Sequence, residues 1–458
     1  MTRICELAIP DQAGLVFGRA PKPVECGFGL RIGAGSVFPE VSFTLPAISI
    51  CRETWREIVS QYQDMGTAIV RRAVALKVPG LVVEFELLPA MTETPEWGAE
   101  ITALLLGHLS EAWREHGLRS ALRVTPADIR DQGKPPQLRS GPAWENLRRS
   151  FTLSIAAGGH IMSIESVGGK EVHDQALMYG DLTGMVFALG VLAPRDVRWL
   201  WSNIAGMCHA GHSIPGGDTA CGFANTAMQL ANQRMLPEVL AAVVRAMAAV
   251  RSLVAYESGA IGPSKDCAYE GPVIKAVAGV PISMEGKSAS CAHFSPMGNI
   301  AAAMCDLWSN ESVQNVRLLS GSAVEAFTEL LAYDCRLMNQ ALKQGEETRL
   351  RDWLTESDEW LSPQAAVLSP EATMAIARAI VLERDDYRRT VAAGRAAAKI
   401  LRDGLSAGKL VLAKKEQNWL MRIENDLAGL PETEDEMMAR VAGQYQALWD
   451  PTSYGLAE

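Results

Sequence analysis

Short apolar runs alternate with longer amphipathic stretches through the middle of this 458-residue chain. LVVEFELL (81–88), ALRVTP (121–126), IMSIES (161–166) and GMVFALG (184–190) have the length and content of strands. HSIPGGD (212–218) is Gly-rich and a weaker candidate, and VAYESGAI (254–261), VPISME (280–285) and NVRLLSG (315–321) complete the series. Helical patterns separate them, over 98–115, from Lys170, over 194–207 and through the Ala-rich stretch LPEVLAAVVRAMAAVRSLVAY. Repeated βα units bury a parallel sheet beneath helices. About eight of them in one run predict an α/β TIM (β/α)8 barrel rather than an open doubly wound sheet.

The barrel domain is expected over 81–345. Residues 1–80 are expected as an N-terminal loop and helix extension. GFGLRIGAGSVFPEVSFTLP is rich in Gly and Pro and lacks continuous periodicity, so it is expected to be mostly loop. CRETWREIVSQYQDMGTAIVRRAVAL carries an apolar helical stripe. Residues 346–458 are expected as a C-terminal helical extension packed on the barrel, with Ser369-Pro370 opening one helix and Pro431 another.

Charge narrows the function classes. Lys+Arg 43 against Asp+Glu 53 leaves a net charge of -10, which argues against a broad nucleic-acid surface or attraction to an anionic membrane. The most apolar stretch carries Glu238, Arg245 and Arg251 and is expected as a buried helix, not a membrane span. Glu6 and Asp11 stand where a secretory signal needs an apolar run. The 9 cysteines are odd in number, widely spread and free of CxxC. That suits a reduced compartment, the cytoplasm, with thiolates available to bind metal.

Several nucleotide and metal motifs fail. Gly286-Lys287-Ser288 resembles the end of a P-loop, but Pro281 stands where that loop needs Gly. No GxGxxG follows a strand, HExxH is absent, and so is the corrinoid-binding pattern DxHxxG. What remains lies at expected strand ends, the catalytic face of a barrel. Glu165 ends IMSIE and precedes a Gly-bearing turn; a salt bridge to Lys170 would explain it equally. Cys221 lies between a Gly-rich loop and a helix start, where a thiolate is stabilised. Cys267 sits in the Gly/Pro loop GAIGPSKDCAYEG. Together they make a three-ligand anionic set with one open tetrahedral position, the catalytic form of a zinc site. Two rivals stay open: Cys208, His209, His212 and Asp218, and Cys291 with His293.

SIESVGGKEVHD, SIPGGDTACGFANTAMQLA and SGAIGPSKDCAYEGPVIKA resemble the zinc-containing methanol–corrinoid methyltransferase catalytic subunits. The likeness extends to GFGLRIGAGSVFPEVSFTLP, LVVEFELLP and PISMEGKSASCAHFSPMGNIAAAMCDLWSNESVQ, and so covers nearly the whole chain. It implies a TIM barrel with one Zn2+ per chain on Glu165, Cys221 and Cys267. It implies methyl transfer from methanol to the cobalt(I) corrinoid of a separate corrinoid protein, and a homodimer of this chain within a heteromeric complex. A second methyltransferase would pass the methyl group on to a thiol or folate acceptor.

Methanol is a poor donor because hydroxide leaves poorly, and three anionic ligands temper the acidity of zinc. A proton donor is therefore expected, with Glu84, Glu86, Asp218 and His173 as candidates by position. The Gly/Pro-rich region around Gly27–Pro46 is a candidate docking surface, or else a lid or barrel-bottom plug. Other readings remain: a zinc methyltransferase (O-demethylase) taking methoxylated compounds or methylamines, which needs a larger pocket; a zinc hydrolase on a barrel, disfavoured by only 7 His; and a corrinoid-protein scaffold without catalysis.

Overall fold

In a computed structural model, residues 3–44, 48–265, 268–292, 294–313 and 321–456 are described. A seven-stranded parallel sheet forms the centre. After an antiparallel ribbon, β1 (Arg19–Cys26) and β2 (Leu30–Ala34), its strands are β3 (Phe38–Thr44), β4 (Leu81–Leu87), β5 (Ser120–Pro126), β6 (Ile161–Ile164), β7 (Ile214–Asp218), β8 (Ser283–Glu285) and β9 (Leu307–Val313). Their order is β7-β6-β5-β4-β3-β9-β8. Between the edge strands β7 and β8 runs an irregular stave. Ile261 donates its N–H to Pro215 O (2.8 Å), Ser264 donates to Pro281 O (3.0 Å), and Ser283 donates to Ser264 O (3.3 Å). These bonds close the sheet into a TIM barrel and leave neither edge exposed.

Alternation along the strands sorts the residues. On β4, Leu81, Val83, Phe85 and Leu87 join the large core beneath the helices. Val82, Glu84 and Glu86 take the opposite, inward face. The inward residues change character along the barrel axis. At the bottom, Phe38, Val82, Ala121, Ile161 and Leu307 form a small apolar cluster with Cys26, Leu30 and Ile32 of the β1–β2 ribbon. Phe28 at the ribbon's turn donates to Ser120 O (2.7 Å). Gly27 there has φ 53°, and a Cβ would collide with Ser120.

One layer higher the interior is charged. Arg123 Nε donates to Glu40 Oε1 (2.6 Å), and Nη1 donates to Ser163 Oγ (2.8 Å) and Pro263 O (2.9 Å). Both partners are fully buried.

The strand expectations fare unevenly. Runs 81–88, 121–126, 161–166, 212–218 and 280–285 each contain a barrel strand. The run 184–190 is instead helical, within Leu182–Phe187 and the widened turn Ala188–Leu192. Every residue from Gly184 to Gly190 is buried, so the run carries no alternation to separate strand from helix. VAYESGAI is the end of the helix Glu238–Glu257, leading into the irregular stave. Residues 315–320 lie outside the described residues, and the last barrel strand, β9, precedes them. The first barrel strand, β3, falls inside the Gly/Pro-rich region expected as loop, because Phe38 to Ser42 take both faces of a strand buried on each side.

The Ala-rich helix Glu238–Glu257 is long and apolar enough to cross a membrane, but it is buried almost throughout. Beyond residue 346 the described residues are helical, including Pro370–Val381, Asp386–Ser406, Lys414–Ala428 and Glu434–Val441. Asp386–Ser406 packs on the Ala-rich helix. Gly394 meets Met247 there, and Arg389 pairs with buried Glu257 at 2.8 Å.

Replacing Arg123 by Met strands the Glu40 carboxylate in the barrel. The expected cost is about 3–5 kcal/mol of stability, read as a lower denaturant midpoint. An unchanged midpoint would mean that the pair contributes nothing.

Candidate active site

A cavity of about 280 Å³ opens at the C-terminal ends of the strands. Ser42, Glu84, Glu86, Glu165, Cys221, Asn225, Lys265, Ser283, Glu285 and Ser309 line it. Six barrel strands or their following loops thus contribute, as the βα arrangement requires.

Lys265 is the one cation that the described lining supplies. Its Nζ lies 3.0 Å from Glu84 Oε1 and 3.4 Å from Glu165 Oε1, and it also bonds Glu86. Burial works to raise the Glu84 carboxyl, but Lys265 and Arg123 outweigh it and hold it below the usual range. Thr125 adds a hydrogen bond of 2.9 Å to Glu84. Glu86 responds differently. Lys265 pulls it down, yet burial and the charges of Glu165 and Glu84 lift it to about 7. One lysine cannot neutralise every carboxylate around it.

Glu165 follows β6 and opens the turn Ser166–Gly169. A Cβ at Gly168 would collide with Asp196, and Gly169 has φ 85°. Glu165 meets Lys265, while Lys170 pairs with Asp174 along its own helix. The alternative explanation of Glu165, a bridge to Lys170, is therefore not what forms. Cys221 opens a widened π-helical turn, Cys221–Asn225, a feature frequent at functional sites. Asn225 Nδ2 donates to Cys221 Sγ (3.4 Å). The preceding N–H, of Ala220, donates to buried Glu270 (2.7 Å). Glu270 thereby ties the Cys221 loop to the segment that carries Cys267. Cys267 itself lies outside the described residues.

Glu165, Cys221 and Glu84 share one cavity; Asp218 does not line it. Asp218 is buried, accepting from Trp201 Nε1 (2.8 Å), Arg251 Nη2 (3.1 Å) and Ser166 N (3.2 Å). His173 is fully buried, packs edge to face on Phe223 at 5.1 Å, and is held neutral by burial. The rival set does not assemble. Cys208 is buried with its thiol pushed up to about 12, while His209 and His212 are exposed. His293 lies outside the described residues, as does the side chain of Cys291. Among the described residues, no group of three metal-ligating side chains is close enough to hold an ion. Sequence reasoning missed Lys265. Its signal was local: a lysine in the Gly/Pro loop two residues before Cys267.

Residues 1–455 match the model of the methanol-cobalamin methyltransferase B subunit. The chain belongs to that family. It is 35% identical over 461 residues, 99% of each chain, to methanol–corrinoid protein co-methyltransferase of Methanosarcina barkeri. The crystal structure of the methanol:cobalamin methyltransferase complex MtaBC from the same organism superposes with a TM-score of 0.95 at 34% identity. It covers 99% of this chain and 100% of that one. The family is one of enzymes, and the cavity lies at the barrel end where such enzymes act.

The raised carboxyl has a consequence for the metal-free chain. Stability from a group whose folded pKa is raised is fully present below its unfolded value and is lost as pH climbs through the folded one. Between pH 5 and 8 the wild-type thermal midpoint should fall more steeply than that of Glu86→Gln. Parallel curves would show that Glu86 titrates normally.

Proposed function

We propose that this chain transfers the methyl group of methanol to the cobalt(I) corrinoid of a separate protein, using zinc held by Glu165, Cys221 and Cys267. One observation carries the proposal. Glu165 and Cys221, from different βα units, meet at the barrel mouth in a cavity whose described lining has four carboxylates and one lysine. Such an excess of negative groups fits a divalent cation, and Cys with Glu suits zinc. When bound, zinc supplies Lewis acidity to the donor oxygen.

The remaining steps belong to the chain. The cavity orients the small alcohol among Ser, Glu and Lys side chains. Glu86 faces the same cavity as Glu165 and is the side chain placed to give a proton to the leaving oxygen; its lift to about 7 belongs to the metal-free chain, and a bound cation lowers it. Glu84, kept ionised beside Lys265, holds that lysine in place. Family likeness to the MtaBC complex supports delivery of the corrinoid by a partner over the open mouth. The ribbon part of the Gly27–Pro46 region is excluded from that face, because it plugs the opposite end of the barrel.

A second reading has its own observation. A side cavity of about 260 Å³ shares Glu86, Glu165 and Gly222 with the first and is walled by Leu87, Leu88, Pro126, Ala127 and Val167. It has room for the organic group of a methoxylated donor. Methoxylated compounds that methylate cobalt(I) faster than methanol does would favour this reading.

The test combines zinc content with methanol-dependent methylation of free cob(I)alamin. Wild type should hold about one zinc per chain, and Cys221→Ala and Cys267→Ala should lose both metal and activity. Glu86→Gln should keep its zinc and slow about 10²-fold or more. Zinc-free wild type that still methylates cobalt would sink the proposal.

A further inference from the structure

The segment that presents Glu165 is held by side chains that do not line the main cavity, although Asp128 borders the side cavity. Three N–H groups of its turn each donate to a different side chain. Ser166 N donates to Asp218 Oδ1 (3.2 Å), Val167 N to Asp128 Oδ2 (3.1 Å) and Gly169 N to Tyr454 Oη (2.9 Å). Each acceptor is itself fixed. Asp218 is held by Trp201 and Arg251. Asp128 receives two bonds from Arg130, of 2.8 and 2.7 Å, and Arg130 is clamped in turn by Asp196 at 2.8 and 2.9 Å. These three side chains are buried to the last atom.

Tyr454 comes from 285 residues further along the chain. Its helical turn, Pro451–Tyr454, is capped by Asp450, and Ser453 Oγ donates to Pro136 O (2.9 Å). Trp449, packed against Phe187, flanks the Tyr454 ring. The ring is 2% exposed, so its hydroxyl reaches the Gly169 N–H without competition from bulk water.

We propose that Tyr454 and the Asp128–Arg130–Asp196 chain are positioning residues for the Glu165 ligand. They fix the backbone that follows Glu165 and so set where its carboxylate meets the metal. The inference rests on the reading of Glu165 as a zinc ligand. Residues around a metal's own ligands usually act in this way, by removing the freedom of a ligand before the ion arrives.

The test uses full-length, metal-free protein and three substitutions. Zinc is titrated in competition with a chromophoric chelator. Tyr454→Phe and Asp128→Asn should bind zinc about tenfold more weakly. Tyr445→Phe, whose hydroxyl bonds Asp181 elsewhere in the same tail, should match wild type. Deuterium uptake over 165–172 should rise in Tyr454→Phe and not in Tyr445→Phe. The visible spectrum of the cobalt(II)-loaded Tyr454→Phe protein should differ from wild type, which a loss of general stability alone does not produce. Wild-type affinity, spectrum and uptake in Tyr454→Phe would overturn the proposal, even if Asp128→Asn fails to fold. Absence of zinc binding in the unmutated chain would overturn it together with the zinc reading, and that failure would be visible before any substitution is made.

Discussion

A single ammonium group organises the barrel mouth. Lys265 sits among Glu84, Glu86 and Glu165; it and Glu84 are buried, while Glu86 and Glu165 are half-buried at the cavity wall. Like charges brought close together at a partly buried wall repel, so the lysine steadies the site as well as forming part of it. Even so, it does not balance the lining, and Glu86 answers by holding its proton up to about 7. The mouth is therefore arranged around a shortage of positive charge. A bound cation would relieve it, which links the stability of this end of the barrel to its chemistry.

Beneath that layer the same problem is solved without a ligand. Glu40 and Arg123 match one another, and Ser163, Ser283 and the carbonyls of Pro263 and Ser264 satisfy their remaining hydrogen-bonding capacity. Lower still the interior is apolar and closed by the N-terminal ribbon. The gradient from apolar plug to matched pair to unmatched carboxylates explains why the cavity lies at one end only. Backbone around the site is correspondingly well anchored, with buried carboxylates tying down the N–H groups beside Glu165 and Cys221.

Much of this was legible in the sequence, but unevenly. Five of the runs contain barrel strands, four of them marked by alternation or β-branched content and the fifth, HSIPGGD, only by its place in the βα repeat. Phe38–Thr44 escaped because its Gly/Pro-rich neighbourhood suggested loop, although the ribbon and strand packed there need those glycines for tight approach. GMVFALG was misread because burial on all sides erases periodicity. Glu165 and Cys221 could be selected as residues of the right type at strand ends, and family likeness favoured them. Asp218 looked equally suitable, yet its partners are Trp201 and Arg251, both brought to it by other elements.

Local order along the chain thus determined the repeating βα pattern, the strand ends and the candidate ligands, since spacing and residue type act over a few positions. Only the tertiary structure decided which of those ends face one another. It was folding in space that put Lys265 beside three carboxylates from two other staves, turned Asp218 outward to Arg251 and Trp201 of the helix layer, and carried Tyr454 to the Glu165 turn. Charge coupling depends on distance in space, and no reading of spacing supplies that distance when the partners lie tens to hundreds of residues apart.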